Sequence, residues 1–299
     1  MLTKRTDLAL EACELWRESA DSMTRLPGVR SRERKSDGYP VTRVEILDER
    51  GEEALGRPVG TYVTVDLRTY WKRGADYFPR AVRAAGRALK AMLPETENAS
   101  ALVVGLGNAD MTPDSVGPSA VRHALVTRHL LASMPRQFAG FRPVAAFCPG
   151  VLGSTGVETA EAVRGLVERV RPSAVIAIDA LAARRRSRLC AALQLSDTGI
   201  LPGSGVGNHR AALNRETLGV PVLAVGVPTV VDAVTLAADL LEERGQDIDE
   251  AALRDGHDGL TVTTFDIDAQ VKELARVVGY CVNWALQDLE VDDISALLA

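Results

Sequence analysis

Gly105-Leu106-Gly107-Asn108-Ala109-Asp110-Met111-Thr112-Pro113-Asp114 directly follows the apolar run Ala101-Leu102-Val103-Val104. A short apolar run punctuated by glycine reads as a buried strand leaving its sheet. The form recurs at 143–147, 174–178 and 222–226, each run bounded by Gly, Pro or Asp. Helical patterns fill 115–133, 157–170, 229–244 and 266–289 between and after them. Strands alternating with helix-length segments predict an α/β fold: a mainly parallel, twisted sheet flanked by helices. The stretch 187–218 breaks the rhythm and predicts an extra strand with long loops.

Upstream, apolar residues at helical spacing predict a helix over 6–23, with Thr6 or Asp7 as its cap. The basic segment Thr24–Pro40 reads as a mobile connection. Strand-like runs Val41–Leu47 and Thr61–Leu67 predict a small strand-containing N-terminal extension, and a helix is expected over Ala75–Met92. The acidic stretch 242–258 reads as a solvated connector.

The 299 residues are 46% hydrophobic but only 4% aromatic, which predicts a core of Val, Leu and Ala. A formal charge of −5 argues against a broad surface for nucleic acid or anionic membrane. Cys13, Cys148, Cys190 and Cys281 form no CxxC pair and read as reduced, mostly buried residues of a cytosolic protein. The first residues carry charge and lack an apolar h-region, so no signal peptide is expected, and a cytoplasmic location is. His123, His129, His209 and His257 make no metal-ligand motif; no metal or other cofactor is expected.

A glycine turn leaving a strand suggests a phosphate cradle, but this one ends in Asp110 and Asp114, the wrong charge for that task. It lacks the third glycine of a dinucleotide fingerprint and the GK[ST] of a P-loop. On spacing alone, Asp114 reads first as a helix N-cap and second as a catalytic carboxylate. Asp179 directly follows the run Ala174–Ile178, where partial desolvation raises a carboxyl pKa and a second carboxylate raises it further. Such a pair can divide acid and base roles near neutrality, although an aspartate satisfied by loop amides is an equal reading. The glycine loops 150–156 (with Gly153 and Ser154) and 203–208 (with Gly203 and Gly205) can bring backbone close to a ligand or offer N–H groups to an oxyanion, or simply make tight turns. Arg184, Arg185, Arg186 and Arg188 read as a solvated surface.

Together, RTDLALEA at 5–12, LVVGLGN at 102–108, TPDSVGP at 112–118, PGVLGSTGVET at 149–159, IAIDALAAR at 176–184, SDTGILPGSGVGN at 196–208 and ETLGVPVLAVGVPTVVDAV at 216–234 resemble the germination protease family, spore endopeptidases acting on small acid-soluble spore proteins. TRHL at 127–130 and GFRPV at 140–144 extend the match, which is weakest over 24–100 and 242–299. That family is similar in fold to the hydrogenase-maturation endopeptidases, which implies a phosphorylase/hydrolase-like sheet.

The resemblance implies that Asp114 and Asp179 are the catalytic pair, of aspartic type and without a required metal. It implies an enzyme of the spore core that starts the breakdown of small acid-soluble spore proteins, cutting after Glu or Asp and before a hydrophobic residue. It also implies a homotetramer, made as a zymogen that removes its own leader. Asp7-Leu8-Ala9 fits the implied preference, so self-cleavage between Asp7 and Leu8 is expected, leaving residues 8–299 as a single peptidase domain. No direct contact with nucleic acid or membrane is expected. Two other readings stand beside this one: a hydrogenase-maturation-type protease that senses a metal in its substrate, and a non-catalytic α/β domain whose glycine loops grip an anion.

Overall fold

The computed structural model describes residues 4–19, 26–95, 99–203, 210–246, 254 and 259–299. Its strands are β1 (Val29–Ser36), β2 (Tyr39–Ile46), β3 (Gly60–Asp66), β4 (Ala101–Gly105), β5 (Val144–Phe147), β6 (Ala174–Ala183), β7 (Ala192–Ser196), β8 (Val222–Asp232) and β9 (Thr261–Val262). They form one nine-stranded sheet in the order β1-β2-β3-β7-β8-β6-β4-β5, with β9 paired to β8 off that path.

The α/β class holds, but the sheet is mixed rather than mainly parallel. Strands β5, β4, β6 and β8 pair in that order, each parallel to the next. Strand β7 lies antiparallel on β8, and β3, β2 and β1 follow it in antiparallel succession. The segment between β6 and β7 is too short for the helical crossover that a parallel return needs, so the chain comes back reversed. The N-terminal strands are therefore part of the main sheet and not an extension beside it.

The basic segment expected to be a mobile connection instead forms β1. Its residues are exposed on both faces apart from the two half-buried ends, so it shows no alternation of apolar and polar positions. The turn that pairs it with β2 is Asp37-Gly38, both at positive φ, the backbone that a two-residue hairpin demands.

Alternation along the central strands sends side chains to two cores. Val103, Ile176, Ile178, Leu223 and Val225 meet the helices Tyr77–Lys90 and Ile267–Gln287 on one face. Leu102, Val104, Val175, Ala177 and Val222 meet the helix Thr159–Val170 on the other. Farther along this second face, the helix Ala9–Ser19 packs on Val44, Ile46 and Tyr62.

Several boundaries differ from the sequence reading. The expected helix over 115–133 is two short helices, Val116–Val121 and Arg128–Ser133. The expected helix start at 229 is still strand: β8 runs to Asp232, whose carboxylate then caps the helix Ala233–Glu242 by accepting the Thr235 N–H (2.8 Å). Most of the acidic stretch 242–258 lies outside the described residues. Among the described residues no helix is long and apolar enough to cross a membrane.

Candidate active site

Asp114 sits in a single 3-10 turn, Thr112–Asp114, that follows β4. Glycines make the approach possible. Gly107 has φ 105°, and a Cβ there would fall 2.0 Å from the Asp114 carbonyl oxygen. A Cβ on Gly117 would lie 2.3 Å from the Leu106 oxygen and 2.5 Å from the Ile178 oxygen, so only glycine lets the helix Val116–Val121 descend onto β4 and β6. The Thr229 hydroxyl of β8 donates to the Pro113 oxygen (2.7 Å), pinning the turn over the sheet. The glycine loop thus folds back on itself, and the Asn108 N–H donates to Asp114 Oδ2 (2.7 Å). Asp114 does not act as an N-cap; the residue at the start of the next helix is Ser115. Asp110 is exposed.

Asp179 does not end a strand, as its sequence suggested. Strand β4 stops at Gly105, opposite Ile178, but β6 and β8 stay paired through Ala183 and Val231. The apolar residues on that stretch keep both strands buried, so Asp179 lies within β6 just past the end of its shorter neighbour. Only 5% of its surface is exposed, and its Oδ1 accepts the Ala180 N–H (2.9 Å).

Burial raises the pKa of both carboxyl groups. Asp179 is pushed well above the usual carboxylate range, first by desolvation and then by the negative charge of Asp114. Asp114 is raised by desolvation, against the pull of the Asn108 N–H. The positive charge of Arg210 acts on both in the opposite sense. Asp114 from the turn after β4 and Asp179 from within β6 are each shifted upward, and the charge of one acts on the other, so the two can titrate as a pair.

The N-terminal segment reaches the same place. Asp7 adds a further upward push on Asp179. Its N–H donates to the Ala182 oxygen (2.8 Å), and its Oδ2 accepts the Ala182 N–H (2.8 Å). Asp7 therefore does not cap the first helix, which begins at Ala9. Leu8 is fully buried against Leu181, Ala183 and Val231. The Gln194 carboxamide brackets Leu8, with Nε2 donating to the Asp7 oxygen (2.8 Å) and Oε1 accepting the Ala9 N–H (2.7 Å). A cavity of about 1240 Å³ adjoins this segment, lined by Arg57, Tyr62, Leu181, Gln194 and Gly226 among others.

The other sequence candidates fall differently. Gly153 and Ser154 follow β5 in a short helix, Leu152–Thr155, and the Ser154 N–H and hydroxyl both bond the Val151 oxygen of their own turn. Gly203 is half-buried at φ 75°, whereas Gly205 lies outside the described residues. The arginines expected at a solvated surface divide: Arg184 is 3% exposed and bonds Asp239 and Glu18, Arg185 and Arg188 are half-buried, with Arg188 bonding Glu14 (2.7 Å), and Arg186 is exposed. Among the described residues no group of three or more His, Cys, Asp or Glu side chains is placed to hold a metal ion. Gln194 and Arg210 were not singled out from the sequence. Gln194 carries a faint signal, a polar residue within the apolar run Ala191–Leu195.

The germination protease family model matches residues 9–243, which include both aspartates and every strand from β1 to β8. The chain belongs to the germination protease family. A germination protease of Caldanaerobacter subterraneus is 44% identical over 309 aligned residues, covering 95% of this chain and 94% of that protein. One of Clostridium tetani is 36% identical, covering 99% of this chain and all of its own length. One of Bacillus cereus is 46% identical over 80% of this chain and 66% of its own. Membership in this family makes the chain a peptidase.

Proposed function

We propose that this protein is an endopeptidase that opens the degradation of small acid-soluble spore proteins during germination, with Asp114 and Asp179 as its catalytic pair. The observation that carries the reading is the buried Asp179, lying just past the end of β4 where the next turn presents Asp114, in a chain of the germination protease family.

In this mechanism Asp179, the more deeply buried partner at 5% exposed, holds the shared proton, and the half-buried Asp114 is the ionised one. Asp114 draws a proton from water as the water oxygen attacks the scissile carbonyl carbon. Asp179 hydrogen-bonds the reacting centre and gives its proton to the departing amine. The Asn108 N–H keeps Asp114 oriented, and the charge of Arg210 favours its ionised form.

The chain's own Asp7-Leu8-Ala9 segment is the model for the substrate: an acidic residue, a buried apolar one, then a small one. Arg57, 3.9 Å from the Asp7 carboxylate, and the Ala182 N–H favour an acid at the first position. Cleavage between Asp7 and Leu8 would release the leader and vacate that position, which is the zymogen step of this reading. The working unit is a homotetramer in the spore core, and sedimentation would give its mass. The test of the activity is incubation with a small acid-soluble spore protein followed by mass spectrometry of the fragments. Cuts after Glu or Asp and before a hydrophobic residue are expected; fragments with no such preference would refute the proposed specificity.

A further inference from the structure

Gln194 of β7 stands opposite Gly226 of β8, and Gly226 stands opposite Asp179 of β6. Residues opposite one another in paired strands project to the same face, so Gln194 and Asp179 share a face two strands apart. At ordinary strand spacing that is about 10 Å between backbones. Gln194 is 7% exposed, and both ends of its carboxamide are spent on main chain: one on the Asp7 oxygen, the other on the Ala9 N–H. A side chain used this way reads no sequence; it fixes the register of an extended peptide on either side of one residue. Here that residue is Leu8, seated on Leu181, which occupies the space a side chain at Gly226 would take.

Resting on the aspartate-pair reading above, we propose that Gln194 is the backbone clamp of the peptide site and the donor to the carbonyl oxygen of the bond that is cut. Its Nε2 already meets the Asp7 oxygen, the carbonyl of the Asp7–Leu8 bond. When the water oxygen bonds to that carbon, the C=O electron pair moves onto the oxygen, and the Nε2–H stabilises the charge that develops there. The pair returns as the C–N bond breaks, and the amine takes its proton from the protonated aspartate. Gln194 gains and loses no proton. Its Oε1 meanwhile keeps the residue after Leu8 in place.

The test follows self-cleavage of the full chain as a first-order appearance of fragments beginning at Leu8, in the native protein and in the Gln194→Ala, Gln194→Glu and Asp179→Asn variants. Loss of one oxyanion donor lowers rates by about 10²- to 10³-fold, and Gln194→Ala and Gln194→Glu are both expected to fall in that range. Gln194→Glu keeps an acceptor for the Ala9 N–H. Its Ala9 amide should stay protected in hydrogen exchange, whereas Gln194→Ala loses that protection. A residue that merely anchors the segment would give the opposite pairing: full cleavage wherever Ala9 stays protected. Native-like cleavage by Gln194→Glu, with Asp179→Asn inactive, overturns the clamp and leaves the aspartate pair standing. Cleavage by Asp179→Asn at the native rate overturns the pair itself, and a native chain that never yields Leu8 overturns both the processing step and the clamp.

Discussion

Asp179 is held where a carboxylate is poorly solvated, and the fold bears that cost. Its folded pKa lies well above its unfolded value, so the folded state binds the proton more tightly. Stability from this group therefore falls as pH rises from the unfolded pKa, near 3.9, through the raised folded one. Asp179→Asn removes the penalty without changing shape. Its melting temperature should exceed the native value at pH 8, by about 2–4 °C per kcal/mol recovered, and the gain should vanish near pH 4. Gly117 makes a second residue-scale case. Gly117→Ala sets a methyl against two backbone oxygens and should cost about 1–3 kcal/mol in urea unfolding, with loss of activity as Asp114 is displaced. Glycine, proline and an adjoining apolar run mark both aspartates in the sequence, but spacing alone put Asp114 first as a helix cap and left Asp179 open; only the family resemblance paired them. Gln194 was not, because one polar residue in a strand does not announce which face it shares, or with what.

Among the elements, the N-terminal helix is bound to the far end of β6 by ionic contacts that sequence reading placed at the surface. Glu11, fully buried, accepts the Arg184 N–H (2.6 Å) and the Arg185 N–H (3.0 Å). Arg184 bonds Glu18 of that helix (2.7 Å) and Asp239 of the helix that follows β8 (2.8 Å). Without Arg184, Asp239 keeps Lys4 (2.8 Å) and Glu18 keeps Arg185 (2.6 Å), so the loss is that of hydrogen bonds between charged groups and not of a stranded buried charge. Arg184→Ala is expected to lose about 1.5–3 kcal/mol in urea unfolding and to expose the segment around Asp7 to hydrogen exchange. A run of arginines ordinarily marks a solvated surface, as Arg186 does; only the acidic partners from two distant helices turn Arg184 inward, and they are invisible to a local reading. Strand β1 escaped for the converse reason. An edge strand exposed on both faces has no apolar alternation, and Asp37-Gly38 was its one marker.

At the scale of the molecule, the sheet places the chain's beginning next to its catalytic candidates. Four strands in parallel bring the Asp114 turn over the end of β4, while antiparallel β7 and β3 carry the peptide seat beside it. The α/β class was readable from alternating strands and helices. The direction of β7 was not, since it depends on which strand the chain returns to, and that choice made the sheet mixed. The consequence is that one face joins the aspartates, Gln194 and the segment Asp7–Ala9, so a folded chain should shield its Asp7–Leu8 bond from an added glutamyl- or aspartyl-specific protease under native conditions.

The central claim is that two aspartates, one in the turn after β4 and one within the neighbouring β6, carry out the hydrolysis. It is tested most directly by the rate at which a small acid-soluble spore protein is cut by the native protein and by the Asp114→Asn and Asp179→Asn variants, with circular dichroism confirming that all three are folded. The account predicts cleavage by the native protein alone, with each variant slowed by at least about 10³-fold. Folded variants that cut at the native rate would contradict it.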